Sequence, residues 1–202
     1  MSTDPRTITL APRGGRTRHT ARLRPLLGVI LLLGGIVLAQ GCDEETTTGP
    51  PPCAAFTPDE DPGAGKVVAR YGDESICEEA VVELVATDVN DAFGLNTRVT
   101  YNASANRFIG FSAGGTVLGS DGATVVPLIQ EIVSGQIEIG MDRISDTGVD
   151  ITGTGLLVTL FFAPSGTGSG ALTLEEGCLW GAGDPPAPLS SVTCSGGTLS
   201  SR

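Results

Sequence analysis

From about residue 66 onward, no stretch of this chain sustains a helical repeat. Apolar side chains instead recur at every second position in short runs, and each run is closed by Gly, Asp, Asn or Ser. A period of two places alternate residues on opposite faces of a strand, so this pattern commits the region to sheet. Twenty-nine Gly and 13 Pro in 202 residues exclude a helix bundle or coiled coil, because both residues are costly inside helices. Nine strand segments follow: residues 67–71, 80–89, 95–101, 107–111, 124–129 (with Pro127 pointing to an edge or bulge), 136–141, 156–163, 171–175 and 198–200. The stretch VVPLIQEIV has the look of a helical turn but lacks a sustained period. Nine short strands in so few residues need a second sheet to cover the first, so the expected fold is an all-β, nine-stranded, two-sheet jelly-roll β-sandwich spanning residues 66–202.

The segment before it reads as an address. Arg6, Arg13, Arg16, Arg18, Arg22 and Arg24 precede a fourteen-residue apolar run, LLGVILLLGGIVLA, which is shorter than the roughly 20 residues a spanning helix needs. The run ends in Leu38-Ala39-Gln40-Gly41-Cys42, which resembles the lipobox of bacterial lipoproteins, in which the Cys is acylated and becomes the new N-terminus. Residues 1–41 are therefore expected to be a lipoprotein signal peptide and Cys42 the lipidation site. The mature protein would be a membrane-anchored lipoprotein facing the periplasm or the cell surface. Residues 42–65, acidic and Pro-rich, read as a linker.

Charge and cysteines narrow the function. From Cys42 onward 22 acids face 6 bases, a net charge of −16, which disfavours nucleic acid and anionic lipid as ligands. The one histidine, His19, lies in the signal segment, so the mature chain has no imidazole for catalysis or zinc. With Cys42 given to a lipid, Cys53, Cys77, Cys178 and Cys194 remain, an even set suited to two disulfides. Of the three connectivities, Cys53 with Cys77 and Cys178 with Cys194 closes the shortest loops.

The order of segments resembles the cohesin domain. The turn and strand Asp88-Val89-Asn90-Asp91-Ala92-Phe93-Gly94-Leu95-Asn96-Thr97-Arg98-Val99-Thr100-Tyr101-Asn102 is similar to the family's Asn/Asp turn and G-F-x-F-x-L-x-Y-D strand, with Thr97 in place of a core aromatic and Asn102 in place of Asp. Phe108-Ile109-Gly110-Phe111, Gly135-Gln136-Ile137-Glu138-Ile139-Gly140, Gly153 through Phe162, Leu172-Thr173-Leu174 and Gly197-Thr198-Leu199 follow in the family's order. The resemblance implies a non-catalytic module whose third, sixth, eighth and fifth strands receive a dockerin-like domain of another protein, the calcium being carried by the dockerin and no cofactor or metal by this chain. Outward positions on that face read Asn96, Arg98, Thr100, Gln136, Glu138 and Thr173, a polar partner-binding patch with Arg98 as its anchor. The alternative is a carbohydrate-binding or adhesive surface lipoprotein with polysaccharide as its ligand, since cohesins share their sandwich with carbohydrate-binding modules; a structural lipoprotein without a ligand is a third.

Other motifs carry less. Gly110-Phe111-Ser112-Ala113-Gly114 matches a nucleophile elbow by string, but no His follows it. Gly166-Thr167-Gly168-Ser169-Gly170 reads as a hairpin loop, with no helix pattern after it to hold a phosphate. Asp142, Asp146 and Asp150 lack EF-hand spacing and read as solvated loop acids. Paired carboxylates for glycoside hydrolysis are available, yet the chain has few aromatics to wall a cleft, with Trp180, Phe161 and Phe111 as its exposed rings. The lipid assignment is checked by intact mass of the membrane-extracted protein: a diacylated N-terminal Cys42 is expected, abolished by Cys42→Ala, and a soluble product beginning elsewhere would contradict it.

Overall fold

The computed structural model describes residues 53–202. The expected signal peptide, Cys42 and the expected linker as far as residue 52 lie outside the described residues. Twelve strands, and no α-helix among the described residues, make up the domain. They are β1 (Ala54–Pro58), β2 (Lys66–Tyr71), β3 (Ala80–Thr100), β4 (Asn106–Ser112), β5 (Thr124–Val133) and β6 (Gln136–Ile144). The second half comprises β7 (Val149–Pro164), β8 (Gly168–Leu174), β9 (Leu179–Gly181), β10 (Ala187–Pro188), β11 (Thr193–Ser195) and β12 (Gly197–Ser201). A short 3-10 turn, Val117–Gly119, precedes β5.

The architecture is all-β, with two layers that share β3. The N-terminal half of β3 pairs with β2 and β7, and β11 and β4 extend that layer in the order β11-β2-β3-β7-β4. The C-terminal half pairs with β6, β8 and β9, and the second layer runs β5-β6-β3-β8-β12-β1. What lets one strand serve both layers is a change of phase. Ala80, Val82, Leu84 and Ala86 face the core at even numbers, whereas Leu95, Thr97, Val99 and Tyr101 face it at odd numbers. The switch occurs where pairing with β7 slips between Thr87 and Val89 and again between Val89 and Ala92. Asp88 and Asp91 sit there with φ of 48° and 57°, in the left-handed region that Asp tolerates better than most residues. Each carboxylate also holds the turn, Asp88 accepting from the Gly153 N–H (2.6 Å) and Asp91 from the Gly148 N–H (3.2 Å).

This corrects the strand count in two ways. The segments expected at 80–89 and 95–101 are one strand of 21 residues. Four strands, β1, β9, β10 and β11, were not expected. β1 also moves the domain boundary: residues 54–58, assigned by composition to the linker, pair antiparallel with β12 from Ala54↔Ser201 to Pro58↔Gly197. The reason is the burial of Ala54 and Phe56, 4% and 5% exposed, a short alternation hidden among prolines. VVPLIQEIV is strand, and Pro127 sits on the edge strand β5, which pairs only with β6 and so needs no outward N–H.

The core is mainly aliphatic, with Leu84, Leu95, Leu118, Ile137, Met141, Leu157, Leu160, Leu172, Leu179 and Leu199 among its fully buried side chains, together with the ring of Phe162. Tyr101 closes one end. Its ring meets Phe162 edge-on at 5.1 Å between centroids, its hydroxyl donates to Glu131 Oε1 (2.5 Å), and it accepts from the Phe108 N–H (3.0 Å). Burial, followed by the hydrogen bond to Glu131, pushes the phenol up to about 12 from its ordinary 10.0. The two disulfides are Cys53–Cys77, joining β1 to the β2–β3 connection, and Cys178–Cys194, closing the loop that carries β9 and β10.

Two predictions arise from this packing. Non-reducing peptide mapping should recover Cys53 linked to Cys77 and Cys178 linked to Cys194, and replacing Cys178 and Cys194 together by Ala should cost about 3 kcal/mol of stability, as the chain-entropy model gives for a loop of this size; a Cys77–Cys178 peptide would refute the assignment. Because the folded phenol of Tyr101 titrates above the unfolded one, the unfolded chain releases that proton first as pH rises. Its stabilisation is then complete below pH 10 and is lost as pH climbs through about 12. Denaturation midpoints across that window should fall more steeply for the native chain than for Tyr101→Phe, and parallel curves would disprove the assignment.

Candidate functional site: the exposed face of the β5-β6-β3-β8 layer

Because the inward phase of β3 and β6 is spent on Leu95, Thr97, Val99, Ile137, Ile139 and Met141, all buried, their alternate residues form the outer face. The register lays that face out in four rows. Thr173, Thr100 and Gln136 form the first, with a 2.6 Å hydrogen bond between the two threonine hydroxyls. Arg98, Glu138 and Gln130 form the second. Asn96, Gly140 and Leu128 form the third, and Trp180, Gly94, Asp142 and Val126 the fourth. The structure thus brings together all six residues expected from the sequence: Asn96, Arg98, Thr100, Gln136, Glu138 and Thr173.

Arg98 is held at the centre. Its Nε and Nη2 each lie 2.6 Å from Glu138 Oε1 across the strand pair, and Nη1 lies 3.1 Å from Glu175 Oε1 at the end of β8. The hydrogen bond to Glu138, reinforced by the charges of Glu138 and Glu175, raises the guanidinium above its already high ordinary value. All three side chains remain well exposed, at 39%, 37% and 56%, so the cluster adds little to stability while fixing the direction in which Arg98 presents its fork. A second polar pair bridges the third and fourth rows, Asn96 Nδ2 donating to Asp142 Oδ1 at 2.9 Å.

The face is not uniformly polar. Leu128 is 68% exposed and Val126 51%, both on β5, and Ile144 at the end of β6 is also exposed. These residues make an aliphatic border along the edge strand, opposite the Arg98 cluster. Between border and cluster, Gly140 leaves a gap in its row, and Asn96, Arg98, Leu128, Gln130, Glu138 and Glu175 surround a depression of about 330 Å³. Leu128, Gln130, Gly140 and Glu175 were not singled out from sequence. The exposed Leu in a VVPLIQEIV run gives no sign of which way it points until the register with β6 is known.

The remaining motifs find local roles. Ser112 in the G-x-S-x-G string accepts from the Gly114 N–H at 3.2 Å. Asp150 accepts from the Asp91 N–H at 2.9 Å, Asp142 is taken up by Asn96, and Asp146 is exposed. Among the described residues, no three His, Cys, Asp or Glu side chains are grouped to hold a metal ion. Phe111 and Phe161 lie on the opposite layer, in β4 and β7. Phe93, passed over in sequence, is part-exposed beside Trp180.

Comparison with protein-family models finds none that matches, and comparison with curated proteins finds no match. Among solved structures the chain is similar to cohesin modules. CaCohA2 from Clostridium acetobutylicum aligns at 15% identity over 72% of this chain and 88% of its own, with a TM-score of 0.46. The sixth cohesin of scaffoldin B from Acetivibrio cellulolyticus, solved in complex with a mutant Cel5 dockerin, aligns at 16% identity over 72% and 96%, with a TM-score of 0.44. A non-cellulosomal cohesin from Archaeoglobus fulgidus aligns at 17% identity over 72% and 88%, with a TM-score of 0.43.

Proposed function

We propose that this chain is a lipid-anchored module of the cell envelope that captures another protein through the exposed face of β8, β3, β6 and β5, in polysaccharide breakdown or surface assembly. The partner class is the one implied by the order of sequence motifs, a calcium-loaded dockerin. The observation that carries the reading is the composition of the face: a fixed guanidinium at its centre, a gap over Gly140 beside it, and an aliphatic border at Leu128 and Val126. An oriented Arg next to a recess is the pattern of an interface centre, where a few residues supply most of the affinity. One cation against Glu138, Glu175 and Asp142 leaves the rim acidic, so the complementary partner is basic around its own anchor. Nothing in this reading asks the chain to catalyse a reaction, and Cys42 would hold the face near the membrane on the acidic linker.

Capture of calcium-loaded dockerins by the full-length protein in detergent tests it. Arg98→Ala and Leu128→Ala are each expected to weaken capture by about 2 kcal/mol or more. The melting temperature should barely change, since an exposed ion pair contributes under about 1 kcal/mol. Capture should also vanish when a chelator strips the partner's calcium. Unchanged capture by a variant with Asn96, Arg98 and Gln136 all replaced by Ala would put the interface elsewhere.

A further inference from the structure

One end of the same layer carries a further cavity, which borders the face described above at Asn96 and Asp142. It holds about 360 Å³ and is lined by Phe93, Asn96, Asp142, Trp180, Pro185 and Pro186. Gly94 pairs with Asp142 on one side and Trp180 on the other, so an indole and a carboxylate share one row of the sheet. The Asp142 carboxylate lies over Gly94, where a Cβ would meet its Oδ1 at 2.0 Å and the Met141 carbonyl oxygen at 2.9 Å, so only Gly lets the carboxylate take that position. The pairing slips between Ala92 and Gly94, and Phe93, at the slip, lines the cavity. Pro185 and Pro186 wall it from the loop after β9.

We infer that this cavity is a binding subsite for a neutral saccharide ring. Two flat apolar faces, the indole of Trp180 and the ring of Phe93, suit the C–H faces of a pyranose. The volume falls within the roughly 300–1,000 Å³ of small-molecule sites, in which a few polar groups set orientation within an apolar wall. Those groups are here a carboxylate and an amide, fixed to one another by the 2.9 Å bond from Asn96 Nδ2 to Asp142 Oδ1. Among the described residues, Asp142 Oδ2 and Asn96 Oδ1 have no other side-chain or backbone donor. The rim is thus rich in acceptors and calls for a ligand that brings hydroxyl donors. Vicinal hydroxyls do so, whereas a proline-rich peptide, the other ligand that favours aromatic grooves, offers carbonyl acceptors and few N–H groups. Asp142 at the site and Asp184 and Asp146 in the adjoining loops make the surroundings acidic, which selects a neutral sugar over a uronic acid.

Trp180 is the only tryptophan of the chain, so its fluorescence reports on this cavity alone. The full-length protein in detergent is titrated with cellohexaose, mannohexaose and xylohexaose, with oligogalacturonate as the anionic probe and decaproline as the peptide probe. A saturable change in Trp180 emission is expected with at least one neutral hexasaccharide, and none with oligogalacturonate or decaproline. Asp142→Ala, a substitution at an exposed position that keeps the reporter, should weaken that binding about tenfold or more, as expected for loss of a hydrogen bond to a charged group. Trp180→Ala, followed by calorimetry and checked for an unchanged melting temperature, should abolish it. The inference is overturned if none of the three neutral sugars gives saturation. An Asp142→Ala variant that binds as tightly as the native chain overturns it as well, as does an equal response to oligogalacturonate or decaproline.

Discussion

The domain depends on β3 being able to change which of its side chains point inward. A strand that kept one phase for 21 residues would bury one half of its apolar set and expose the other. The two left-handed aspartates at Asp88 and Asp91 insert the extra residues that reverse the phase, and their carboxylates fasten the turn to the β7 side through the Gly148 and Gly153 amides. Everything on the outer face follows from that reversal. Had the phase not switched, Arg98 and Asn96 would be aimed into an aliphatic core with no carboxylate to meet them, and Leu95 and Val99 would face solvent. The polar face and the buried one are two consequences of a single local backbone choice.

Glycine placement then decides what the face can hold. Gly140 and Gly94 lie in neighbouring rows; Gly140 leaves a recess where an ordinary side chain would have made the sheet surface flat, whereas Gly94 makes room for the Asp142 carboxylate to lie over it. The recess at Gly140 opens between a guanidinium cluster and an exposed leucine; the cavity one row away is lined by an indole and that carboxylate. The two cavities lie a single row apart, differ in chemistry, and share Asn96 at their borders.

Much of this arrangement could be read in the sequence, and what could not has identifiable causes. The alternation Leu95, Thr97, Val99, Tyr101 against Asn96, Arg98, Thr100 is unambiguous because a strand with one solvated face must repeat every two residues, and the outward set fell together as expected. Strand β1 escaped because its two buried side chains, Ala54 and Phe56, are too few to stand out from the prolines around them. Strands β9 to β11, two or three residues each, carry no period at all. The roles of Leu128, Gly140 and Gly94 depend on what lies opposite them on another strand, which is a property of register and not of any local string. Phe93 was hidden by the slip in pairing beside it, which breaks the alternation at that point.

The bridge between Cys53 and Cys77 has a mechanical meaning. Strand β1 is a five-residue edge strand whose one ladder partner is β12. A pull arriving along the chain from the N-terminal side meets Cys53 before it meets β1, and the covalent bond passes that load to Cys77, at the turn leading into β3. Tension is therefore delivered to the longest strand of the domain, which is flanked by neighbours in both layers, and β1 is left slack. A module held at one end while its face grips a partner in a moving medium would transmit force through its best-supported element instead of unravelling from its weakest.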